Sequence, residues 1–463
     1  MKPLPLSRIA QWTNGRLHGG GQGDDVLIDA VETDTRTLDA SDGRAALFIA
    51  LKGANFDGHD HVATAAEQGA RAALVSRACD APLPQVVVAD TERALAALAA
   101  SLQHARTGKV VGITGSNGKT SVKQLTLAIL SRTLAAYANP GNRNNEIGLP
   151  LAVIDAPDDA DVAVYEMGAG KHNDIAYLTG IVRPDVALVN NVAPAHLERM
   201  QSLLGIADTK AAIYDALPHD GVAVINADDA FAPYFAERAH GRRLLRFGLE
   251  ASADVTARDL RLDDEVSRFT LATPAGEARV SLPLPGRHNV ANALAAATIT
   301  LALGVPLATI AQALSEAEPV KGRLVRHRLD NGAILIDDSY NANPGSLNAA
   351  IDTLAAASGE NWLVLGDMRE LGEDAVALHA EAGRRAQRAG IARLYALGPL
   401  SAAAVEAFGD GGRHFDSHDA LVDALRVDLH SGVRLLVKGS RGSAMDRIVD
   451  ALLPRDTGDH DAA

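Results

Sequence analysis

Val111-Gly112-Ile113-Thr114-Gly115-Ser116-Asn117-Gly118-Lys119-Thr120 is the stretch that decides the fold. Val110, Val111 and Ile113 read as a buried strand, the chain turns through Gly115-Ser116-Asn117-Gly118, and a helix opens at Lys119 with Gln124, Leu125, Leu127 and Leu130 following. Strand, glycine turn and helix in this order cradle a nucleotide triphosphate. The glycines let backbone N–H groups converge on phosphate oxygens, and the helix N-terminus adds its dipole. Lys119 neutralises the β- and γ-phosphates, and Thr120 is placed to offer its hydroxyl to Mg2+. ATP is therefore expected here, held by Gly115, Ser116, Asn117, Gly118, Lys119 and Thr120. The general pattern wants a glycine where this chain has Ile113, so the match is to a variant, Thr-Gly-x-x-Gly-Lys-Thr; the bland alternative is an ordinary glycine turn.

Composition frames the rest. A chain of 463 residues implies two to four domains, and 47% apolar residues supply their cores. A net charge of −14 argues against nucleic acid as a partner, since phosphate-backbone binding needs a local Lys/Arg excess. The one cysteine, Cys79, excludes an intrachain disulfide and fits a reducing compartment. Met1-Lys2-Pro3-Leu4-Pro5 starts no secretory signal, and no apolar run approaches the ~18 residues of a membrane helix. The expectation is a soluble cytoplasmic protein without a membrane partner.

Working outward from the glycine turn, the chain divides into three α/β units, 1–105, 106–318 and 319–463. In the first, Ala46–Leu51, Ala72–Ser76 and Gln85–Ala89 read as strands and Thr91–His104 as a helix, with Arg106-Thr107-Gly108-Lys109 as a linker. In the second, Asp161–Met167, Asp185–Asn190 and Val222–Ile225 alternate with helices at Leu203–Leu217 and Asn289–Leu303, which implies a parallel sheet. Residues 244–284 look like several strands, an antiparallel edge. In the third, a hairpin at Asn331-Gly332 precedes strands at Trp362–Asp367, Arg393–Leu397 and Arg434–Lys438, a second, smaller, Rossmann-like doubly wound sheet. Residues 454–463 read as a frayed polar tail.

Ligands of open α/β sheets sit at the carboxyl ends of strands. Glu166 ends the strand Val162-Ala163-Val164-Tyr165, facing the glycine turn, where a carboxylate either holds Mg2+ or is a surface charge. His196 follows the strand ending at Asn190-Asn191, and Lys210 starts the helical run Ala211–Leu217; alone they read as a polar loop residue and a solvated charge. Asn289 and Asn292 lie one turn apart on a helix face, suited either to the adenine edge or, for Asn289, to helix capping.

Together Gly112–Thr120, Glu166-Met167-Gly168, Asn190–His196, Lys210 and Gly286–Asn292 resemble the Mur ligases, the ATP-dependent peptide-bond formers of peptidoglycan synthesis; folylpolyglutamate synthases share a looser version. Asp337–Pro344, Leu365–Gly372 and Lys438–Ser443 are similar to the family branch that adds a D-alanyl-D-alanine dipeptide, and the Asp-Asn-Pro-Arg string of the branch that adds a diamino acid is absent. The resemblance implies a reaction between UDP-N-acetylmuramoyl-tripeptide and D-alanyl-D-alanine through an acyl phosphate, with ATP and Mg2+ as cofactors and a monomeric enzyme. It implies that Lys119, Glu166, His196 and Lys210 are catalytic. Thr120 and Glu166 then hold one metal ion, and His196 with a carbamylated Lys210 holds a second. Asn289 and Asn292 would contact adenine, Arg323 the γ-phosphate and Asp338 the ribose, the last two from the third unit. Thr35 and Arg36 would bind the UDP moiety, although an arginine there also reads as a surface ion pair, and Asn341 and Asn343 would grip the dipeptide. Lys438 and Arg441 bind a carboxylate or support that loop. Two departures from the family pattern stand out: Gly170-Lys171-His172-Asn173-Asp174 after Ala169, and Ala211-Ala212 after Lys210. Two other readings are an amide ligase using another amine and a nucleotide-gated binding protein.

Overall fold

The computed structural model of the chain describes residues 1–19, 25–41, 43–194, 200 and 202–453. The expected tail 454–463 and the candidate His196 lie outside the described residues. Lys109–Thr114, Val162–Glu166 and Val186–Val189 are buried almost throughout, the signature of strands covered on both faces. They form the centre of a six-stranded sheet in the order Arg243–Phe247, Val222–Asn226, Val186–Val189, Lys109–Thr114, Val162–Glu166, Ala136–Ala138, parallel throughout. The chain leaves Lys109–Thr114 toward one edge, returns through Val162–Glu166, then crosses to the other side at Val186–Val189. Lys109–Thr114 is thus the switch point at which such sheets open a ligand crevice. The register sets Glu166 beside Ile113 and Val189 beside Thr114, so the strand ends reach one edge together.

Side chains alternate across the central strand. Val111 and Ile113 join the apolar layer under the helices Lys119–Leu130 and Arg287–Ala302, whereas Val110 faces the opposite layer. There Thr91–Ala105 of the first unit packs on Gly148–Asp155 and Asp174–Val182, making one core continuous between first and second units. The first unit carries a five-stranded sheet, Arg16–His18, Gln85–Val87, Ala72–Val75, Ala46–Ile49, Ala30–Glu32, parallel except at Arg16–His18.

The third unit has its own six-stranded sheet, Val325–Arg328, Ile334–Asp338, Val433–Lys438, Glu360–Gly366, Arg393–Leu397, Gly412–Phe415, antiparallel only at the first pair. Its hairpin turns where expected, with Gly332 at φ 86°. The sheet equals the central one in strand number, because Val325–Arg328 and the short Gly412–Phe415 add edges that composition did not reveal. Residues 244–284 differ from expectation. Arg243–Phe247 extends the parallel sheet, and Thr256–Leu262, Ser267–Thr273 and Gly276–Leu282 form a separate three-stranded antiparallel sheet. Phe247 bridges toward it, at Val255.

Candidate active site

Gly118 caps the helix Lys119–Leu130 at φ 77°, and a Cβ there would sit 2.3 Å from Asn292 Oδ1 and 2.6 Å from Asn190 Nδ2. Both the dihedral and the space demand glycine. The turn is caged by asparagines. Asn190 Nδ2 donates to the Asn117 carbonyl (2.9 Å) and to Asn292 Oδ1 (3.1 Å), and Asn117 N–H donates to Asn191 Oδ1 (2.8 Å). Ser116 Oγ donates to the Ala193 carbonyl at 3.1 Å. Lys119 Nζ curls over the turn onto the Gly115 carbonyl at 2.7 Å. Loss of water around that ammonium lowers its pKa, Glu166 opposes the shift, and Arg323 adds to it.

Glu166 is 2% exposed. Its Oε1 accepts from Asn144 Nδ2 at 2.8 Å, and its Oε2 lies 3.3 Å from Lys123 Nζ without a hydrogen-bond partner. Burial pushes this carboxyl up, but Lys119 and Lys123, with the hydrogen bond from Asn144, hold it below the usual glutamate value. Lys123 is fully buried and also donates to the carbonyls of Asn139 (2.8 Å) and Gly141 (3.0 Å). Asn139 in turn accepts from Glu166 N–H at 2.8 Å. Lys210, 3% exposed on the helix Leu203–Asp215, has its pKa pulled down to about 7, by burial first and then by Lys119, against Asp174.

The third unit meets this site directly. Arg323 stacks on Tyr340, its guanidinium 4.6 Å from the ring centre, and its Nη2 donates to Thr120 Oγ1 at 3.0 Å. Asp338 is buried at a strand end and pairs with Lys438 Nζ at 2.5 Å; burial raises its pKa and Lys438 opposes the rise. Lys438 also donates to the Asn341 carbonyl at 3.0 Å. Asn343 caps the helix Pro344–Ala355 through Ser346 N–H, and its Nδ2 reaches Asn117 Oδ1 at 2.7 Å. The units enclose a cavity of about 1260 Å3 whose lining includes Lys119, Glu166, Lys210, Asn292, Arg323 and Asp338.

Gly115–Thr120, Asn289, Asn292, Asn341 and Asn343 also line that cavity, so the fold brings most of the expected residues together. Asn289 Nδ2 donates to the Pro285 carbonyl at 2.8 Å, which is not a capping bond because the cap of Arg287–Ala302 is Gly286 without a side-chain contact, and Asn292 serves the cage. Thr35 and Arg36 are not among the lining residues. Arg36 is exposed and pairs with Asp34 at 2.6 Å, holding that carboxyl at about 2 through a side-chain hydrogen bond. Arg441 is likewise exposed, paired with Asp446 at 2.9 Å. Sequence reasoning missed the cage role of Asn190 and Asn191, the buried Lys123, and the loop that brings Asn142, Asn144 and Asn145 to the cavity. Six asparagines within Asn139–Asn145 and Asn190-Asn191 were the available signal for the loop and cage; Lys123, inside an otherwise regular helix, offered none.

Family models match along most of the chain: the Mur ligase family, catalytic domain at residues 28–105, the Mur ligase middle domain at 113–300, and the Mur ligase, glutamate ligase domain at 322–441. A relative from Escherichia coli (strain K12), a UDP-N-acetylmuramoyl-tripeptide–D-alanyl-D-alanine ligase, is 42% identical over 98% of this chain and 99% of its own. A crystal structure of MurF from Acinetobacter baumannii superposes with a TM-score of 0.91 at 34% identity, covering 98% of this chain and 99% of that one. MurF ligase from Thermotoga maritima, solved in complex with ADP, gives a TM-score of 0.81 at 27% identity over 91% and 96% of the two chains. With matches in all three units and full-length similarity to such relatives, this chain belongs to the Mur ligase family.

Proposed function

We propose that the chain is an ATP-dependent ligase joining D-alanyl-D-alanine to UDP-N-acetylmuramoyl-tripeptide, giving the pentapeptide precursor of peptidoglycan, ADP and phosphate. The observation that carries this reading is the cavity in which the caged phosphate turn, Glu166 and Lys210 face Arg323 and Asp338 of another unit. The full-length similarity to ligases of that name supports it. The division into a UDP-substrate unit (1–105), an ATP unit (106–318) and a C-terminal unit (319–463) belongs to the same proposal, as does action as a cytoplasmic monomer without nucleic-acid or membrane partners. No helix among the described residues is long and apolar enough to cross a membrane.

The chemical difficulty is bringing an anionic carboxylate onto an anionic γ-phosphate. A carboxylate oxygen of the tripeptide attacks the γ-phosphorus, the bond to the ADP oxygen breaks, and an acyl phosphate forms. The amine of D-alanyl-D-alanine then adds to the acyl carbon, gives up a proton, and the tetrahedral species expels phosphate. Lys119, once it swings off the Gly115 carbonyl, and Arg323, once it leaves Thr120, are the cations positioned to offset the charge at transfer. Asp338 would take the ribose, Asn289 and Asn292 the adenine, Asn341 and Asn343 the dipeptide, and Thr35 and Arg36 the uridine diphosphate.

The residues fit Mg2+. Glu166 Oε2 is a buried, hydrogen-bond-free carboxylate oxygen among cations, and Thr120 lines the same cavity. Among the described residues no three His, Cys, Asp or Glu side chains converge. Thr120 and Glu166 would hold one ion, and His196 with a carbamylated Lys210 a second. Bound Mg2+ supplies charge neutralisation and orientation of the phosphates. An amine with a pKa near 7 is substantially neutral at physiological pH, which supports addition of CO2 to Lys210 and conversion of a cation into an anionic ligand.

Phosphate release from ATP tests the reading, measured with UDP-N-acetylmuramoyl-tripeptide in the presence and absence of D-alanyl-D-alanine. Glutamate and diaminopimelate serve as control amines. Release that needs both substrates, with the pentapeptide identified by mass, is the expected result. Release with a control amine would move the chain to a sister activity, and no release with any amine would sink the ligase reading.

A further inference from the structure

The three-stranded sheet Thr256–Leu262, Ser267–Thr273, Gly276–Leu282 contributes no residue to the nucleotide cavity. Its first hairpin turn nevertheless reaches the third unit. Asp263 Oδ1 accepts from Glu265 N–H (3.1 Å) and Val266 N–H (2.7 Å), a self-closed turn that leaves Asp264 and Glu265 to face outward. Asp264 Oδ2 lies 2.6 Å from Arg434 Nη2 and accepts from Ser358 Oγ at 3.4 Å. Arg326 donates to the Asp264 carbonyl and lies 3.5 Å from Glu265 Oε1. Arg434 and its partner carboxylate are 15% and 31% exposed, so this pair is partly shielded from water.

The two arginines sit on the strands that carry the third unit's contribution to the site. Arg326 lies three residues after Arg323, and Arg434 lies four residues before Lys438, on Val433–Lys438. At ~3.3 Å per residue a strand carries a displacement at one end rigidly to the other, about 13 Å away. Between the turn and the phosphate loop runs the helix Pro344–Ala355, held at its start by Asn117. Its far end lies against Gly286, where a Cβ would come 2.8 Å from Thr353 Oγ1. A cavity of about 460 Å3 separates the units behind this helix, walled by Leu324, Ile336, Leu354 and Leu436 on one side and Pro285 and His288 on the other. Apolar packing across the junction is therefore incomplete, and polar contacts stand at its two ends.

We propose that Asp264, supported by Glu265, is a positioning residue for the ligase reaction. Its ion pair with Arg434 holds the third unit in the orientation that brings Arg323 and the Asp338–Lys438 pair to the nucleotide. This rests on the ligase reading above. The test compares Asp264→Ala, Arg434→Gln, the double variant, Asp264→Glu, and a control, Arg258→Gln, which removes an exposed pair with Glu277 on the same sheet. Each single variant is expected to lower kcat/KM for D-alanyl-D-alanine roughly tenfold, the scale of a partly buried charge-assisted contact. The double variant should be no worse than the weaker single, Asp264→Glu should recover most of the loss, and KM for the UDP substrate should hold. Small-angle scattering of the ADP-bound variants should show a larger radius of gyration than the parent and Arg258→Gln. Parental kinetics in Asp264→Ala, additive losses, or a loss that Asp264→Glu does not recover would overturn the proposal. If the parent itself turned over no substrate, the ligase reading would fail while the scattering comparison still decided whether the turn holds the units together.

Discussion

The phosphate turn and the Thr35–Arg36 loop were both read from a few residues, yet the fold treats them in opposite ways. Around Gly115–Thr120 the protein has built the receptor in advance. Asn190, Asn191 and Asn292 fix the backbone, and a Cβ at Gly118 has no room. At Arg36 the described contact is a bidentate one with Asp34, two residues earlier, and the guanidinium is mostly in water. A caged site binds with little further ordering, whereas an exposed arginine must give up a partner and be ordered by its ligand. Loss of a residue from the cage should therefore affect the chemistry itself, and loss of Arg36 should affect affinity alone.

Removal of the central cation is the strongest way to break this contrast. Lys119→Ala should lower kcat by more than roughly a thousandfold, since the charge on the transferring phosphoryl group loses its positioned counter-ion; single-turnover phosphate release measures it. A variant that kept a tenth of the parental rate would show that the curl of Lys119 over the turn is its whole role.

Lys210→Ala should be nearly as damaging, about a hundredfold or more for loss of a catalytic charged group, and partly rescued by small carboxylates that replace the carbamate. In the parent, the neutral amine that would take up CO2 is depleted as pH falls below about 7. At limiting bicarbonate, turnover should accordingly fall on the acid side of that value and level off above it. A 13C carbamate resonance that grows with pH would be the direct signature, and parental turnover in Lys210→Ala would end the idea.

Gly118→Ala tests the cage. The left-handed φ and the approach of Asn292 and Asn190 make a strain of about 1–3 kcal/mol the expectation. ADP affinity measured by calorimetry should fall roughly five- to 150-fold, the equivalent of that strain if it is relieved only by opening the cage. Unchanged affinity would mean that the turn relaxes without cost. Arg36→Ala sharpens the other side of the comparison and is the smallest effect: a several-fold rise in KM for the UDP substrate, on the order of one exposed charged contact, with kcat and melting temperature unchanged. A fall in kcat instead would place Arg36 inside the reacting assembly.

The architecture was legible where local signals and burial coincide. The β-branched run before Gly115, the strand before Glu166 and the hairpin at Asn331-Gly332 all sit where periodicity and turn chemistry put them. The sequence was less informative where short, half-exposed strands depend on partners, as in Gly412–Phe415, whose burial pattern carries no alternation. The segment 244–284 was strand-rich by composition, but its split between a parallel edge and a separate sheet depends on which neighbour each strand finds. Among the residues lining the cavity, Lys119 was readable from the glycine turn that opens its helix, and Glu166 from the end of its strand as one of two alternatives. Lys123 was not, because one lysine inside a helix looks like every solvated lysine until the helix is packed; in the fold it is fully buried against Glu166.

By itself the sequence determined which residues lie at the carboxyl ends of the central strands, because strand, glycine turn and helix are local structures set by propensity and backbone freedom. It also determined which residue types the chemistry could draw on. Only the tertiary structure decided that Asn343 both caps its own helix and bonds Asn117 of another unit, that Arg323 rests on Thr120, and that Asp264 meets Arg434. These contacts join residues 170 or more positions apart. No local pattern encodes such pairs; they exist because separately packed cores bring polar surfaces together in the fold.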